Sequence, residues 1–283
     1  MYNNRYKAGT TSKVTGTSVS DAIAKIEHSM GVQYVGWSDT IDGYPIPKEL
    51  SVTTPPNTLF TTRIATNNLM SLPKNPNVMD AIKANNTIPI VGFQEASPIS
   101  FKKALKRRYP NIIGLGPLDN NTYAAPLVVN TTKFRHISTG SKIIHRGVAH
   151  VSLTRRLTWA IVEHRRSKTR FAVINLHAVV VKRDKYYTKR VEMRQQDKAV
   201  LKSQVDIFLK SNLPVIITGD FNTKANWLGA IYNGHRVQRV QNGIDQILAV
   251  DSSNRKWTFD RFNTEDTSSD HDVLRAKVHL SGR

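Results

Sequence analysis

The residues best suited to chemistry in this chain are acids, carboxamides and histidines that follow short apolar runs. Each run is typical of a buried β-strand, so the polar group comes where the strand ends. Together such groups can bind a divalent cation, activate water and stabilise a phosphate, as hydrolysis of a phosphodiester requires. Five motifs of this kind occur, in the order Thr66-Asn67-Asn68, Gln94-Glu95, Asn175-Leu176-His177, Gly219-Asp220-Phe221-Asn222, and Asp245-Gln246 with Ser269-Asp270-His271.

The motif around residue 220 is the candidate for acid–base chemistry. The apolar run Leu213–Thr218 delivers Asp220 and Asn222 to its C-terminal end, two residues apart and so on the same side. We expect Asp220 to accept a proton from water and Asn222 to orient that water. The alternative is an Asx turn that closes a strand, which Asp and Asn both favour.

Glu95 is the leading candidate for a metal ligand because it follows the end of the predicted strand Ile88–Phe93, after Gln94. Mg²⁺ and Mn²⁺ prefer hard oxygen ligands, usually one or two carboxylates plus water. Asn68 and Asp270 are the further candidate ligands. The alternative is that these residues only mark the points where strands end, since Asn is an ordinary turn former.

Two histidines complete the candidate site. A carboxylate that holds an imidazole in one tautomer is a recurrent catalytic pair, and we expect Asp245 to orient His271 in this way. His177 ends the apolar strand Val173–Leu176. A lone histidine in that position is often only a hydrogen-bonded residue at the rim of the core, which is the alternative here.

Alternating strands and helices must position these groups. The tract Thr158–Leu176 is typical of a hairpin, which favours a mixed two-sheet core flanked by helices over a doubly wound parallel sheet. Strands are predicted at Arg63–Leu69, Ile88–Phe93, Ala125–Asn130, Thr158–His164, Phe171–Leu176, Pro214–Thr218, Gln246–Val250 and Val273–Leu280. Helices are predicted at Asn77–Ala84, Pro98–Arg108 and about Asp184–Lys210.

Residues 1–60 differ from the rest of the chain. Ser20 can cap a short amphipathic helix over Asp21–Met30, and Gly36–Asn57 contains an Asp-Gly pair and several prolines, which predict turns and an extended connector. We therefore predict an N-terminal extension of unknown role over residues 1–60 and a catalytic domain over residues 61–283.

Charge indicates the partner. Residues 1–60 carry five basic and five acidic side chains, so the whole formal charge of +20 lies in residues 61–283. Such a surface attracts polyanions, although it is also compatible with a basic protein that charge keeps soluble. The candidate contacts to nucleic acid are taken from the basic clusters of the sequence. They are Lys102, Lys103, Arg165, Arg166, Lys182 and Arg183.

Composition excludes several other classes. Apolar residues are 39% and charged residues 22%, which is typical of a soluble globular protein. No apolar run approaches the length of a membrane span, and the N-terminus lacks the apolar core of a signal peptide, so we expect a cytoplasmic location. The absence of cysteine excludes disulfides, thiolate metal sites and a cysteine nucleophile.

From about Thr61 to His279 the chain resembles the endonuclease/exonuclease/phosphatase superfamily, which has the deoxyribonuclease I-like fold. The resemblance implies a four-layered α/β sandwich, with the site at one end of two packed sheets, and hydrolysis of phosphate esters that depends on a divalent metal. In that family a glutamate supports the first catalytic histidine. The corresponding segment here, Tyr123–Pro126, offers no acid, so we expect His177 to bind phosphate rather than to transfer protons. The matching residues are Asn68, Glu95, Asn175, His177, Asp220, Asn222, Asp245, Ser269, Asp270 and His271.

These observations predict a Mg²⁺- or Mn²⁺-dependent phosphodiesterase that hydrolyses nucleic acid, in the first place a DNA endonuclease. A phosphoinositide phosphatase or a sphingomyelinase of the same superfamily is the main alternative, because such enzymes also bind anionic substrates. A catalytically inactive nucleic-acid-binding module is a third. The presence of Asp220, Asn222, Asp245 and His271 argues against that third possibility.

Overall fold

The structure is a computed structural model that describes residues 33–34, 37–41, 44–47, 50–51, 57–70, 78–115, 122–267 and 269–282. The chain divides into two compact units, Met1–Thr54 and Pro55–Arg283. The boundary predicted after residue 60 falls inside the first strand of the second unit, which begins at Thr58. The helix predicted at Asp21–Met30 lies outside the described residues.

The described residues of the first unit form two antiparallel strand pairs. Strand β1 (Gln33–Tyr34) pairs with β4 (Leu50–Ser51), and β2 (Trp37–Ile41) pairs with β3 (Tyr44–Pro47). The expectation of only turns and a connector in this segment was therefore wrong. The expectation rested on the prolines, two of which lie in β3. A two-stranded sheet consists of edge strands, where proline is tolerated.

The second unit contains two mixed sheets. The smaller has five strands, in the order β16 (Arg255–Glu265), β17 (Val273–Gly282), β5 (Thr58–Asn68), β6 (Ile90–Gln94) and β8 (Leu127–Val129). The larger has eight, in the order β13 (Ile231–Tyr232), β14 (His235–Asn242), β15 (Asp245–Val250), β12 (Val215–Asp220), β11 (Arg170–His177), β10 (Thr154–His164) and β7 (Thr122–Tyr123), with β9 (Phe134–His145) also paired to β10.

Three helices occur among the described residues, α1 (Val78–Lys83), α2 (Ile99–Arg108) and α3 (Tyr187–Lys210). Leu201 and Phe208 of α3 pack on the outer face of the larger sheet, whereas Ile82 of α1 and Leu105 of α2 pack on that of the smaller. The predicted four-layered arrangement is confirmed, although the helical layers are thin. No helix in the described part of the chain is long and apolar enough to cross a membrane.

The main core lies between the two sheets. Ile64 of the smaller sheet and Phe171 of the larger belong to one buried cluster, in which Trp257 is fully enclosed. Because alternate side chains of a strand face opposite ways, the neighbouring residue Ala65 faces the helical layer instead. Burial of both faces explains why the central strands are nearly continuous apolar runs.

Strand direction brings the motif residues to one end of both sheets. Strand β5 runs parallel to β6, and β11 runs parallel to β12, so their C-terminal residues are neighbours. Strands β15 and β17 run antiparallel to their partners and therefore begin at that same end. The register places His177 beside Asp220, and Asp220 beside Asp245.

Candidate active site

The predicted pair of Asp245 and His271 is present in the structure. The Nδ1 atom of His271 lies 2.6 Å from Oδ2 of Asp245, so the imidazole donates to the carboxylate and has a fixed orientation. Burial alone would lower the pKa of His271, but the hydrogen bond to Asp245 and the nearby carboxylates raise it to about 9. At neutral pH this histidine is therefore an imidazolium that can contact a phosphate oxygen.

Asp220 lies at the centre of the site and is almost completely buried. Burial, followed by the charge of Asp245, raises the pKa of its carboxyl to about 7. A carboxyl with such a pKa can accept a proton from water near neutral pH. Its Oδ1 atom accepts the backbone N–H of Asn222 at 2.7 Å, and Asn222 has a positive φ of 50°. The Asx turn considered from the sequence is thus present, and it fixes the rotation of the candidate base.

His177 faces the same space as the two acids. Its Nε2 atom is 3.5 Å from Oδ2 of Asp220 and 3.9 Å from Oε1 of Glu95. Burial lowers the pKa of His177 well below its ordinary value, and the positive charges of Arg155 and His271 add to the effect. The imidazole is therefore neutral at physiological pH, which suits hydrogen bonding to phosphate.

Asn68 joins the two halves of the site. Its Nδ2 atom lies 3.0 Å from Oδ2 of Asp220 and 3.4 Å from Oε1 of Glu95, while its Oδ1 atom accepts the N–H of Met70 at 3.0 Å. In this arrangement Asn68 donates to two carboxylates, and its Oδ1 atom accepts one N–H in the turn after β5. An amide oxygen has two lone pairs, so the predicted role of Asn68 as a neutral metal ligand stays a prediction.

The donor set fits a hard divalent cation. Glu95 has a positive φ of 58°, a conformation that is unusual for a non-glycine residue and that tends to occur at functional sites. Its carboxylate and that of Asp220 converge on one amide and one imidazole, so a cation there would offset the repulsion between them. Oxygen ligands of this kind are those that Mg²⁺ prefers. Asp220, Asp245 and His271 form a second cluster whose ligand atoms lie within 4.8 Å of one another.

The three residues of the Ser-Asp-His motif have different environments in the structure. The hydroxyl of Ser269 donates to the carbonyl of Asn68 at 2.7 Å and accepts the N–H of His271 at 3.2 Å, which fastens this loop to the end of β5. The side chain of Asp270 is 63% exposed, and its Oδ1 atom is 4.0 Å from Nε2 of His271. Asp270 therefore lies at the rim, where its proposed role as a metal ligand stays a prediction.

A buried polar network joins the two sheets directly behind the site. The Oδ1 atom of Asn175 accepts from Gln94 at 2.7 Å and from Thr218 at 3.0 Å, and its Nδ2 atom donates to the carbonyl of Phe93 at 2.7 Å. Gly92 makes this approach possible, because a Cβ atom there would lie 2.1 Å from Oγ1 of Thr218. Gln94 and Asn175 are thus structural supports of the candidate catalytic groups.

The predicted nucleic-acid contacts separate into three groups. Lys103, Lys182 and Arg183 are exposed, as the prediction requires. Lys102 is completely buried, so its assignment to an exposed binding surface was wrong. It lies beside Phe101 on the packed side of α2. The charge of a lysine does not by itself indicate which side of a helix it occupies.

Arg165 and Arg166 are also exposed, but they lie in the turn between β10 and β11. The site is at the opposite end of β11, at His177. At about 3.3 Å per residue, the strand Arg170–His177 separates the two ends by roughly 23 Å. The structure therefore does not bring these two arginines to the candidate site, because the turn precedes the first residue of β11 and the site lies at the last.

Sequence reasoning missed three charged residues next to the site. The guanidinium of Arg155, a nearly buried residue of β10, donates to the carbonyl of Ala178, directly after His177. Asp197 of α3 accepts the N–H of Val179 at 2.8 Å, and Arg194 donates to the carbonyl of Asn222 at 2.8 Å. A signal existed for Asp197, since it lies one helical turn from both Met193 and Leu201 and so on a buried face.

Comparison with known proteins agrees with this geometry. Residues 65–271 match the family described as "Endonuclease/Exonuclease/phosphatase family". No curated protein sequence matches the chain. An endonuclease/exonuclease/phosphatase from Bacteroides vulgatus is similar in structure, with a TM-score of 0.60 and 17% identity over 78% of this chain and 99% of that one.

Two further solved structures have similar folds. The mannosyl-6-phosphatase Bt3783 of Bacteroides thetaiotaomicron has a TM-score of 0.56 and 16% identity, over 77% of this chain and 99% of that one. D. rerio TDP2, complexed with single strand DNA product, has a TM-score of 0.56 and 15% identity, over 77% of this chain and 98% of that one. At such low identity the likeness establishes the fold and not the substrate.

The two-sheet fold and the acid–histidine cluster at its end define a phosphoesterase. Since the family match covers most of its length, this chain belongs to the endonuclease/exonuclease/phosphatase family, whose members hydrolyse phosphoester bonds and generally use a divalent metal.

Proposed function

We propose that this protein is a nuclease that depends on a divalent metal and hydrolyses the phosphodiester bonds of nucleic acid, with DNA as its substrate and internal cleavage as its mode of action. The observation that carries the proposal is the meeting of Asp220, His271, His177 and Glu95 at one end of a strongly basic unit. Those groups supply hydrolysis of a phosphate ester. The charge of +20 supplies the preference for a polyanion.

The chemistry proposed for the chain's own residues is in-line hydrolysis. Asp220 accepts a proton from a water molecule that the carboxamide of Asn222 helps to orient. The oxygen of that water bonds to phosphorus as the bond to the leaving sugar oxygen breaks. The leaving oxygen then takes a proton from solvent. His271, held by Asp245, and the neutral His177 bind the non-bridging phosphate oxygens throughout.

Glu95 is the proposed principal ligand of Mg²⁺ or Mn²⁺, with Asn68 and Asp270 as the further candidate ligands. A bound cation would neutralise negative charge on the phosphate and on the leaving oxygen. Asn68 contributes by holding the carboxylates of Asp220 and Glu95 in their relative position.

The proposed path of the substrate follows the exposed cations at the site end of the sheets. Lys182 and Arg183 come shortly after His177, and both are exposed. Lys103 is exposed on α2, which begins four residues after Glu95. Lysine and arginine side chains in such positions attract the phosphate backbone without regard to base sequence.

Incubation of the protein with supercoiled plasmid tests the proposal. We expect nicked and then linear DNA with Mg²⁺, no product with excess EDTA, and no product with the Asp220→Asn variant. Cleavage should fall steeply as salt is added, because neutralised phosphates release counterions. Hydrolysis of phosphoinositides or sphingomyelin, with the plasmid left intact, would contradict the nuclease proposal and favour the other branch of the family.

A further inference from the structure

A cavity beside the active site has no part in the chemistry proposed above. Its volume is about 630 Å³, within the range of pockets that bind small molecules. One wall is the connection from β9 to β10, residues 147–153, with Thr154 at the start of β10, and the other is formed by Val180, Lys182 and Arg190.

The wall of the cavity is preformed. The carbonyl of Val148 accepts the N–H of Val151 at 3.0 Å and that of Ser152 at 3.1 Å, which closes a tight turn. Arg190 reaches across from α3 and donates to the carbonyl of Val151 at 2.9 Å. A wall that is bonded in this way loses little freedom when a ligand binds, which favours affinity.

The chemistry of the lining fits an aromatic ring joined to a phosphate. Apolar side chains of Val148, Val151 and Val180 form one part of it, and the cations Arg155, Lys182 and Arg190 form another. Asp184 does not line the cavity but forms ion pairs with Lys182 at 3.8 Å and with Arg190 at 3.3 Å. Three cations therefore stand against one carboxylate, and an excess of positive charge remains for a phosphate. The hydroxyl of Ser152 adds a polar contact, 3.3 Å from Nε2 of His145.

The cavity and the catalytic centre share a wall. Arg155 lines the cavity, and its guanidinium donates to the carbonyl of Ala178, the residue after His177. The same carbonyl accepts from Nδ2 of Asn222 at 2.8 Å. The side chain of Arg155 therefore connects the cavity wall to the segment that directly follows His177 and that also holds Asn222.

We propose that this cavity binds one unstacked nucleotide of the substrate strand, beside the scissile phosphate, so that the enzyme prefers nucleic acid that is single-stranded or locally unpaired there. This inference rests on the proposed function and specifies its substrate. In an intact duplex every base is stacked and paired, so a nucleotide can enter the cavity only if it leaves the stack. A single strand, or a duplex with one bulged nucleotide, avoids that cost.

The first test compares three substrates of one sequence: a single strand, its perfect duplex, and the duplex with one bulged nucleotide. We expect the single strand and the bulged duplex to be cleaved at least about tenfold faster than the perfect duplex, because the perfect duplex must first unpair and unstack a base, at a cost of a few kcal/mol. Cleavage of the bulged duplex should be concentrated at the bulge. Equal rates on all three substrates would overturn the inference.

The second test fills the cavity. In Val180→Trp and Ala149→Trp, the ratio of kcat/KM for the single strand to kcat/KM for bis(4-nitrophenyl) phosphate should fall about tenfold. The matched control is Ile207→Trp, an exposed position of α3 that does not line the cavity, and its ratio should equal that of the wild type. An unchanged ratio in both folded cavity variants would also overturn the inference.

A binding experiment separates this inference from the proposed function. In EDTA, a short oligodeoxyadenylate with one central 2-aminopurine should become several-fold more fluorescent on binding, because the probe leaves the stack, and Val180→Trp should abolish that rise. If the wild type cleaved no nucleic acid but gave this response, the proposed function would fail and the cavity assignment would stand. Binding without any rise in fluorescence would refute the cavity assignment alone.

Discussion

Gly92 offers the sharpest test of how the two sheets hold the catalytic groups. A Cβ atom at this position would lie 2.1 Å from Oγ1 of Thr218 and 2.3 Å from Oδ1 of Asn175, distances that cannot be accommodated without movement. The Gly92→Ala variant must therefore displace the polar network between the sheets. Thr218 and Asn175 each stand two residues before a candidate catalytic residue, Asp220 and His177 respectively.

The expected magnitude follows from the contacts that would be lost. Overpacking of a close-packed site costs about 1–3 kcal/mol. Each buried partner left without its hydrogen bond costs about 1–3 kcal/mol more, and Asn175 accepts from both Gln94 and Thr218. Loss of one of these bonds together with the overpacking gives about 2–6 kcal/mol, a large part of the free energy of unfolding of a typical domain.

Urea unfolding measures the effect, with Gly282→Ala as the matched control, since nothing lies within 4 Å of a Cβ atom at that glycine. We expect a lower midpoint for Gly92→Ala with an unchanged slope, and lower kcat in conditions where the variant is folded. A difference of less than about 1 kcal/mol between the two variants would refute the reasoning, because overpacking alone should cost at least that much.

Four further predictions concern the site and the domain boundary. Glu95→Gln should weaken the rise in melting temperature on addition of Mg²⁺ and lower turnover in parallel, whereas retained activity in excess EDTA would contradict a metal role. Asp220→Asn and His271→Ala should each abolish cleavage but keep DNA affinity, measured by fluorescence anisotropy, because the distributed basic surface provides that affinity; loss of binding in either would refute the assigned roles. Asp245→Asn should move the alkaline limb of the pH–rate profile to lower pH, because the pKa of His271 is raised to about 9 by that carboxylate and the imidazolium would be lost earlier as pH rises; an unmoved limb would contradict this. A chain that begins at Pro56 should fold and hydrolyse a simple phosphodiester; a folded but inactive product would show that the N-terminal residues contribute to the site.

The sequence predicts the central strands well and the peripheral strands poorly, for one physical reason. Strands β6, β11, β12 and β15 are buried on both faces and therefore consist of apolar residues. Among the described residues, strand β9 pairs with β10 alone and has several exposed positions, and β16 forms the edge of the smaller sheet. With polar residues on an exposed face, those strands show no apolar run and were not predicted.

The same distinction applies to the site. Residues at the ends of buried strands, such as Glu95 and His177, were found because a polar residue after an apolar run is conspicuous. Arg155 was missed because its contact with Ala178 crosses from one strand to the end of the next, which spacing along the chain does not reveal. The turn arginine Arg165 was misplaced for a related reason, since a basic cluster in sequence carries no information about which end of a strand it occupies.

At Asp220 the Asx turn is present, and it is compatible with the role as a base that the sequence predicts. The Asx turn engages Oδ1, which accepts the N–H of Asn222 at 2.7 Å. Oδ2 is then left facing the site, where Nδ2 of Asn68 is at 3.0 Å and Nε2 of His177 is at 3.5 Å. Because the turn prevents the carboxylate from rotating, the two oxygens cannot exchange places. Oδ2 is therefore the atom that we expect to accept the proton from water, and the turn is what keeps it in position.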